Sequence, residues 1–214
     1  MKATDMRPEK NIVGMFVGKA GSGKSTAIAS FAEAGPMHFM DFDRRINGIY
    51  HAFQYLPPEC RANIEYTQYN IKSGFKEPAE QLGIWVEESK QRKLKIATIA
   101  LESAGIMANS FIDEYSRVGQ GKGVRQLGEV DMTGPMHYGY ASRAFHKIVY
   151  GGLREIRNCN VIVSCWTMDR WGKREGAADY ADNEVIGTKL NLTDKLSEEI
   201  PGYFDEIYEF DKQV

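Results

Sequence analysis

The run Ile12-Val13-Gly14-Met15-Phe16-Val17-Gly18-Lys19-Ala20-Gly21-Ser22-Gly23-Lys24-Ser25-Thr26 decides how the rest of the chain is read. It opens as an apolar stretch of strand length, and Gly18 to Ser25 then fit the pattern G-x-x-x-x-G-K-[ST]. A helix-forming run, Thr26 to Glu33, follows at once. Each part has a physical reason. Gly18, Gly21 and Gly23 let the backbone adopt conformations that a Cβ forbids, so successive N–H groups can turn inward around an anion. The N-terminus of the following helix presents unpaired N–H groups and a partial positive charge to the same anion. Lys24 has the reach for β- and γ-phosphates, and the Ser25 hydroxyl is a ligand suited to Mg²⁺. The nine residues Gly18, Lys19, Ala20, Gly21, Ser22, Gly23, Lys24, Ser25 and Thr26 are therefore expected to hold a nucleoside triphosphate.

Working outward, 214 residues suffice for one domain with a substantial core. Apolar residues make up 43% and charged residues 26%, which excludes a disordered chain. A net charge of −2 argues against a globally basic nucleic-acid binder but not against a local basic strip. Cys60, Cys159 and Cys165 form no C-x-x-C pair or metal spacing, and Met1 to Pro8 lack the apolar segment of a secretory leader. A reducing cytoplasm is the expected compartment. No run reaches membrane-spanning length, so no membrane partner is expected.

Along the chain, the first helix is expected to stop at Gly35-Pro36, and Met37 to Met40 form a buried strand with Asp41 and Asp43 at its carboxyl end. A short helix over Ile46 to Tyr55, a strand over Ile64 to Tyr69 and a helix from Pro78 to about Arg92 come next. Lys95 to Leu101 read as a strand closed by Glu102. Ala141, Ala144, Phe145, Ile148, Val149, Gly152, Leu153 and Ile156 recur with helical period, so an amphipathic helix is expected across them. Val161 to Cys165 are another buried strand, and Tyr203 to Phe210 a last one at an edge. Apolar strands alternating with helices predict an α/β fold, with a mostly parallel β-sheet sandwiched between helices. The expected domain is 1–214, with long loops at about 117–139 and 167–183.

A phosphate-binding loop needs a carboxylate near its magnesium and a group to take a proton from the attacking water. Glu102 is placed for the first, with capping of the next helix together with Ser103 as the alternative. Asp43 is the candidate base, with an Asx turn involving Asp41 as its alternative. Asp41 is a further candidate for the metal shell, beside Ser25 and Glu102, and Lys24, Asp43 and Glu102 form the expected catalytic set.

At these residues the chain resembles a known family. Phe39-Met40-Asp41-Phe42-Asp43 with Ile46-Asn47-Gly48-Ile49-Tyr50 resembles the segment of RecA-type recombinases that carries the water-activating glutamate. Thr98-Ile99-Ala100-Leu101-Glu102-Ser103 is similar to their Walker B strand, and Val161 to Trp166 to their sensor strand. The whole, from Ile12 to about Phe210, resembles compact phage-encoded RecA-like nucleotide-binding proteins of single-strand annealing recombination. The resemblance implies a RecA-like P-loop NTPase using ATP and Mg²⁺, assembled as a homo-oligomer and acting on single-stranded DNA. It also implies that Lys122, Arg125, Arg170, Lys173 and Arg174 meet DNA phosphates, with Tyr138, Tyr140 or Trp171 stacking on bases. Lys173 or Arg174 would alternatively reach a neighbouring subunit's γ-phosphate. Three positions depart from the family: the shorter Asp43 replaces glutamate, the longer Glu102 replaces aspartate, and Trp166 replaces Gln or His. Either the two acid changes compensate or hydrolysis is slow. Two other readings stay open, a P-loop kinase acting on a nucleotide or small hydroxyl acceptor, and a nucleotide-dependent assembly module with little hydrolysis.

Overall fold

The structure is a computed structural model that describes residues 11–44, 46–70, 75–118, 125–127, 130–132, 135–149, 151–173, 184–192 and 194–211. A seven-stranded sheet organises them. The strands are β1 (Val13–Gly18), β2 (Met37–Asp41), β3 (Ile64–Gln68), β4 (Thr98–Glu102), β7 (Asn160–Gly172), β8 (Glu184–Leu190) and β9 (Glu206–Phe210), in the order β3-β2-β4-β7-β1-β9 with β8 attached to β7. A separate pair, β5 (Arg125–Leu127) and β6 (Val130–Met132), is antiparallel. Every pairing along the main path is parallel.

The uninterrupted apolar strands explain the layers. Each residue of β1, β2 and β4 is buried, which requires cover on both faces of the sheet. Period-2 alternation divides their side chains between two cores. Met15, Val17, Ile99, Leu101, Val161 and Val163 point to one, where they meet α4 (Lys76–Lys90), α5 (Ala104–Val118) and α6 (Pro135–Val149). Phe16, Ala100 and Ile162 point to the other, against α1 (Lys24–Ala29) and α2 (Ile46–Gln54). The expected sandwich is therefore present, and the strands that carry it match the stretches expected to within a few residues.

The differences are informative. The helix expected over 141–156 begins at Pro135 and ends at Val149, where Gly151 and Gly152 close the turn by donating to the Lys147 and Ile148 carbonyls. Leu153 and Ile156 stay buried through a 3-10 turn, so the apolar stripe outlasts the helix. The interval 117–139 is not loop throughout, since it holds the end of α5, the β5–β6 pair and the start of α6. Likewise, Thr167–Gly172 continue β7 and pair antiparallel with β8, forming an arm where a loop was expected from 167. A short α3 (Pro58–Arg61) starts at the second of two prolines, and α7 (Asp194–Glu199) packs Leu196 into the larger core.

Candidate functional site

The carboxyl ends of β1, β2, β4 and β7 meet at one cleft of about 270 Å³. It is lined by the residues from Ala20 to Thr26 together with Asp43, Gly48, Ile49, Glu102 and Trp166. The loop has the geometry its glycines suggested. Gly21 and Gly23 take φ of 77° and 93°, and Gly23 leads directly into α1.

Lys24 is buried and curls back over the loop. Its Nζ donates to the Gly18 carbonyl at 2.8 Å, the Lys19 carbonyl at 2.9 Å and the Ser22 hydroxyl at 3.4 Å. Burial holds its pKa below the usual lysine value, opposed by the nearby negative potential of Glu102 and Asp43.

Glu102 lies at the end of β4, one strand removed from β1 because β7 runs between them. Its longer side chain spans that gap, and Ser25 Oγ donates to its Oε2 at 3.3 Å. Burial pushes its carboxyl up to about 7, and Asp43 adds to the rise, while Lys24 and the Ser164 and Ser25 hydroxyls oppose it. Ser164 is itself fully buried, and its Oγ has no hydrogen-bond partner of ordinary geometry among the described residues. A hydroxyl and a carboxylate in contact, with a further buried hydroxyl nearby, form a hard oxygen donor set that fits Mg²⁺. No group of three or more His, Cys, Asp or Glu side chains among the described residues forms a metal cage.

Asp43 lines the cleft, and the Ser103 hydroxyl donates to its Oδ1 at 3.0 Å. Asp41 is a correction. Expected in the metal shell, it is fully buried and is not among the described residues that line the cleft. Its Oδ1 accepts the Arg44 N–H at 2.9 Å and its Oδ2 accepts the Tyr66 hydroxyl at 2.5 Å. The turn considered for Asp43 is thus made by Asp41, and Arg44 at φ 56° completes it. Ser103, considered with Glu102 as a cap of the next helix, stands just before α5. Its carbonyl accepts the Met107 N–H at the start of α5, while its hydroxyl serves Asp43.

The sequence reading overlooked three further features of the cleft: Gly48 and Ile49 on α2, and the Ser103–Asp43 contact. Ser103 follows Glu102 directly, but only the parallel register of β2 and β4 reveals which acid it meets. Trp166 lines the cleft at the tip of the buried part of β7, as its place in the sensor-like strand suggested. Arg170, Lys173 and the exposed Trp171 lie on or next to the β7–β8 arm, and Lys19 pairs with Asp169 at 2.9 Å, linking arm and phosphate loop. Tyr140 is exposed on α6, away from this arm in sequence. Lys122 and Arg174, like the side chains of Arg125 and Tyr138, lie outside the described residues.

Over residues 10–213 the sequence matches the AAA domain. The chain belongs to the AAA-domain family. Among solved structures, this AAA domain is similar to a prototypical ATPase from the type III secretion system of pathogenic bacteria, with a TM-score of 0.52 and 11% identity. The match covers 94% of this chain and 53% of the other, so the AAA domain spans about half the length of that ATPase. No curated protein matches the sequence. The α/β P-loop fold expected from the phosphate loop is therefore the fold observed. Among the described residues, no helix is long and apolar enough to cross a membrane.

The raised pKa of Glu102 has a measurable consequence. Unfolded, the carboxyl titrates near 4.5; folded, near 7. Between these values the folded chain retains a proton that the unfolded chain releases, so this group's contribution is complete below pH 4.5 and lost as pH rises to about 7. The loss is at most on the order of 3 kcal/mol. Thermal unfolding without nucleotide or Mg²⁺ is expected to show Tm falling by several degrees between pH 5 and 7.5 relative to Glu102→Gln. Parallel curves for the two proteins would remove the assignment.

Proposed function

We propose that this AAA domain hydrolyses ATP in a Mg²⁺-dependent reaction, and that its turnover responds to single-stranded DNA. The observation that carries the first part is the convergence of Asp43 and Glu102 on one phosphate-loop cleft. The loop N–H groups and Lys24 bind the β- and γ-phosphates, and Ser25 with Glu102 would hold magnesium, which would supply positive charge beside the phosphates. Asp43 accepts a proton from a water as its oxygen bonds to the γ-phosphorus and the bond to the bridging oxygen of ADP breaks. The glutamate at 102 supports compensation between the two exchanged acids, because its added length is used to cross to Ser25.

The DNA part of the proposal is supported by Arg170, Lys173 and exposed Trp171 together on the arm, with Asp169 tied to Lys19 of the loop. Cations track phosphates and an exposed indole stacks on bases without sequence preference. We extend the proposal to a homo-oligomer in which Lys173 approaches a neighbouring subunit's nucleotide. Phosphate release is expected to rise when single-stranded DNA is added to protein and Mg–ATP, and Trp171→Ala is expected to lose that stimulation while keeping the DNA-free rate. Transfer of the γ-phosphate to an added nucleoside or nucleotide would replace this reading with a kinase. Tight ATP binding with neither outcome would leave an assembly module.

A further inference from the structure

Asp43 is one methylene shorter than the glutamate of RecA-type proteins, and a preorganised site tolerates only about 0.5 Å of displacement. How the shorter acid keeps its place is visible in the backbone. Pairing of β2 and β4 runs through Asp41 and Glu102 and continues one bond further, as the Phe42 N–H donates to the Glu102 carbonyl at 2.6 Å. That extra bond carries Asp43 and Ser103 forward side by side. On the other side, the turn after β2 is closed by Asp41, itself fixed through the hydroxyl of Tyr66 on β3.

From this geometry we infer that Ser103 is a positioning residue, whose hydroxyl fixes the carboxylate of Asp43 for proton transfer. The inference rests on the reading of Asp43 as the water's proton acceptor. Ser103 is 1% exposed, so water does not compete for its hydroxyl, and the bond to Asp43 Oδ1 is 3.0 Å. An aspartate has one rotatable bond fewer than a glutamate, so one hydrogen bond restricts it more completely. The two tasks of Ser103 are separable. Its carbonyl starts α5 through Met107, and alanine preserves that bond; its hydroxyl holds Asp43, and alanine removes it.

The test uses the full chain with Mg–ATP and measures kcat, KM, Mg–ATP affinity, affinity for ADP with aluminium fluoride, and Tm. For Ser103→Ala, kcat is expected to fall on the order of tenfold to a hundredfold, with KM and Mg–ATP affinity unchanged. Affinity for the aluminium fluoride complex falls with kcat, because that complex mimics the state in which the attacking water is aligned. Ser103→Cys, similar in size and a weaker donor, is expected to fall between wild type and alanine, and serves if the alanine variant folds poorly. Ser103 acts through Asp43, so Ser103→Ala combined with Asp43→Ala is expected to be no slower than Asp43→Ala alone. Wild-type turnover by Ser103→Ala beside an impaired Asp43→Ala overturns the positioning role, as does a double variant slower than Asp43→Ala. Wild-type turnover by Asp43→Ala overturns the underlying assignment of the base, and the inference with it.

Discussion

Replacing Lys24 with alanine is expected to weaken Mg–ATP binding by more than about a hundredfold, through loss of charge-assisted hydrogen bonds worth roughly 3 kcal/mol together. The structure explains why no neighbour can substitute. Lys24 is held inside the loop by the Gly18 and Lys19 carbonyls, so its ammonium is already desolvated and aimed at the phosphate cradle. Lys19, the other lysine of the loop, is mostly exposed and paired with Asp169. Removing Lys24 also takes away the positive charge that opposes the raised pKa of Glu102, so the carboxylate is harder to ionise for magnesium. Titration of a non-hydrolysable ATP analogue in the presence of Mg²⁺ measures the effect, with Tm as the control for folding. An unchanged Kd would dissolve the phosphate site and everything built on it.

The second large effect is structural. Gly18→Ala is expected to destabilise the domain by roughly 2–5 kcal/mol, a Tm loss on the order of 10 °C. Gly18 has φ 153°, and a Cβ there would lie 2.3 Å from the carbonyl oxygen of Phe210 and 2.8 Å from Ser22 Oγ. The first of these is backbone in the neighbouring strand, paired to Gly18 in the β1–β9 register, and it cannot step aside without opening that pairing. At Gly21 and Gly23 an added methyl would meet nothing within 4 Å among the described residues, so the cost there comes from φ alone. Alanine at 21 is therefore expected to cost less than alanine at 18, and thermal melts of the two variants rank them. Equal losses would mean that the close approach of β9 does not matter.

What could be read in advance follows from how each element comes by its order. β1, β2, β4 and the first part of β7 are buried on both faces, so their composition alone declares them, and the phosphate loop has a pattern that few other structures require. The arm was not legible for the opposite reason. Thr167 to Gly172 and Glu184 to Lys189 leave the core, so no apolar alternation marks them, and only mutual pairing makes them strands. α5 did have a signal, since Ala104, Met107, Ala108, Phe111 and Ile112 recur with helical spacing and are all buried. Asp41 and Asp43 were ambiguous because both follow the same apolar run. The strand stops at Asp41, and the turn closed by Arg44 then presents Asp43 to the cleft while Tyr66 from β3 claims Asp41. Neither event is local in sequence.

The thirteen residues of β7 combine two roles that proteins often give to separate parts. Its first half is clamped between β1 and β4, and its second half carries the arm outward by about 20 Å at ~3.3 Å per residue. Trp166 sits at the changeover, in the wall of the cleft. A hydrogen-bonded strand is stiff along its length and has no hinge there, save the irregularity between Arg170 and Trp171. One continuous strand therefore joins the exposed arm that carries Trp171 to the cleft wall at Trp166, so the arm is anchored in the same element that shapes the nucleotide cleft.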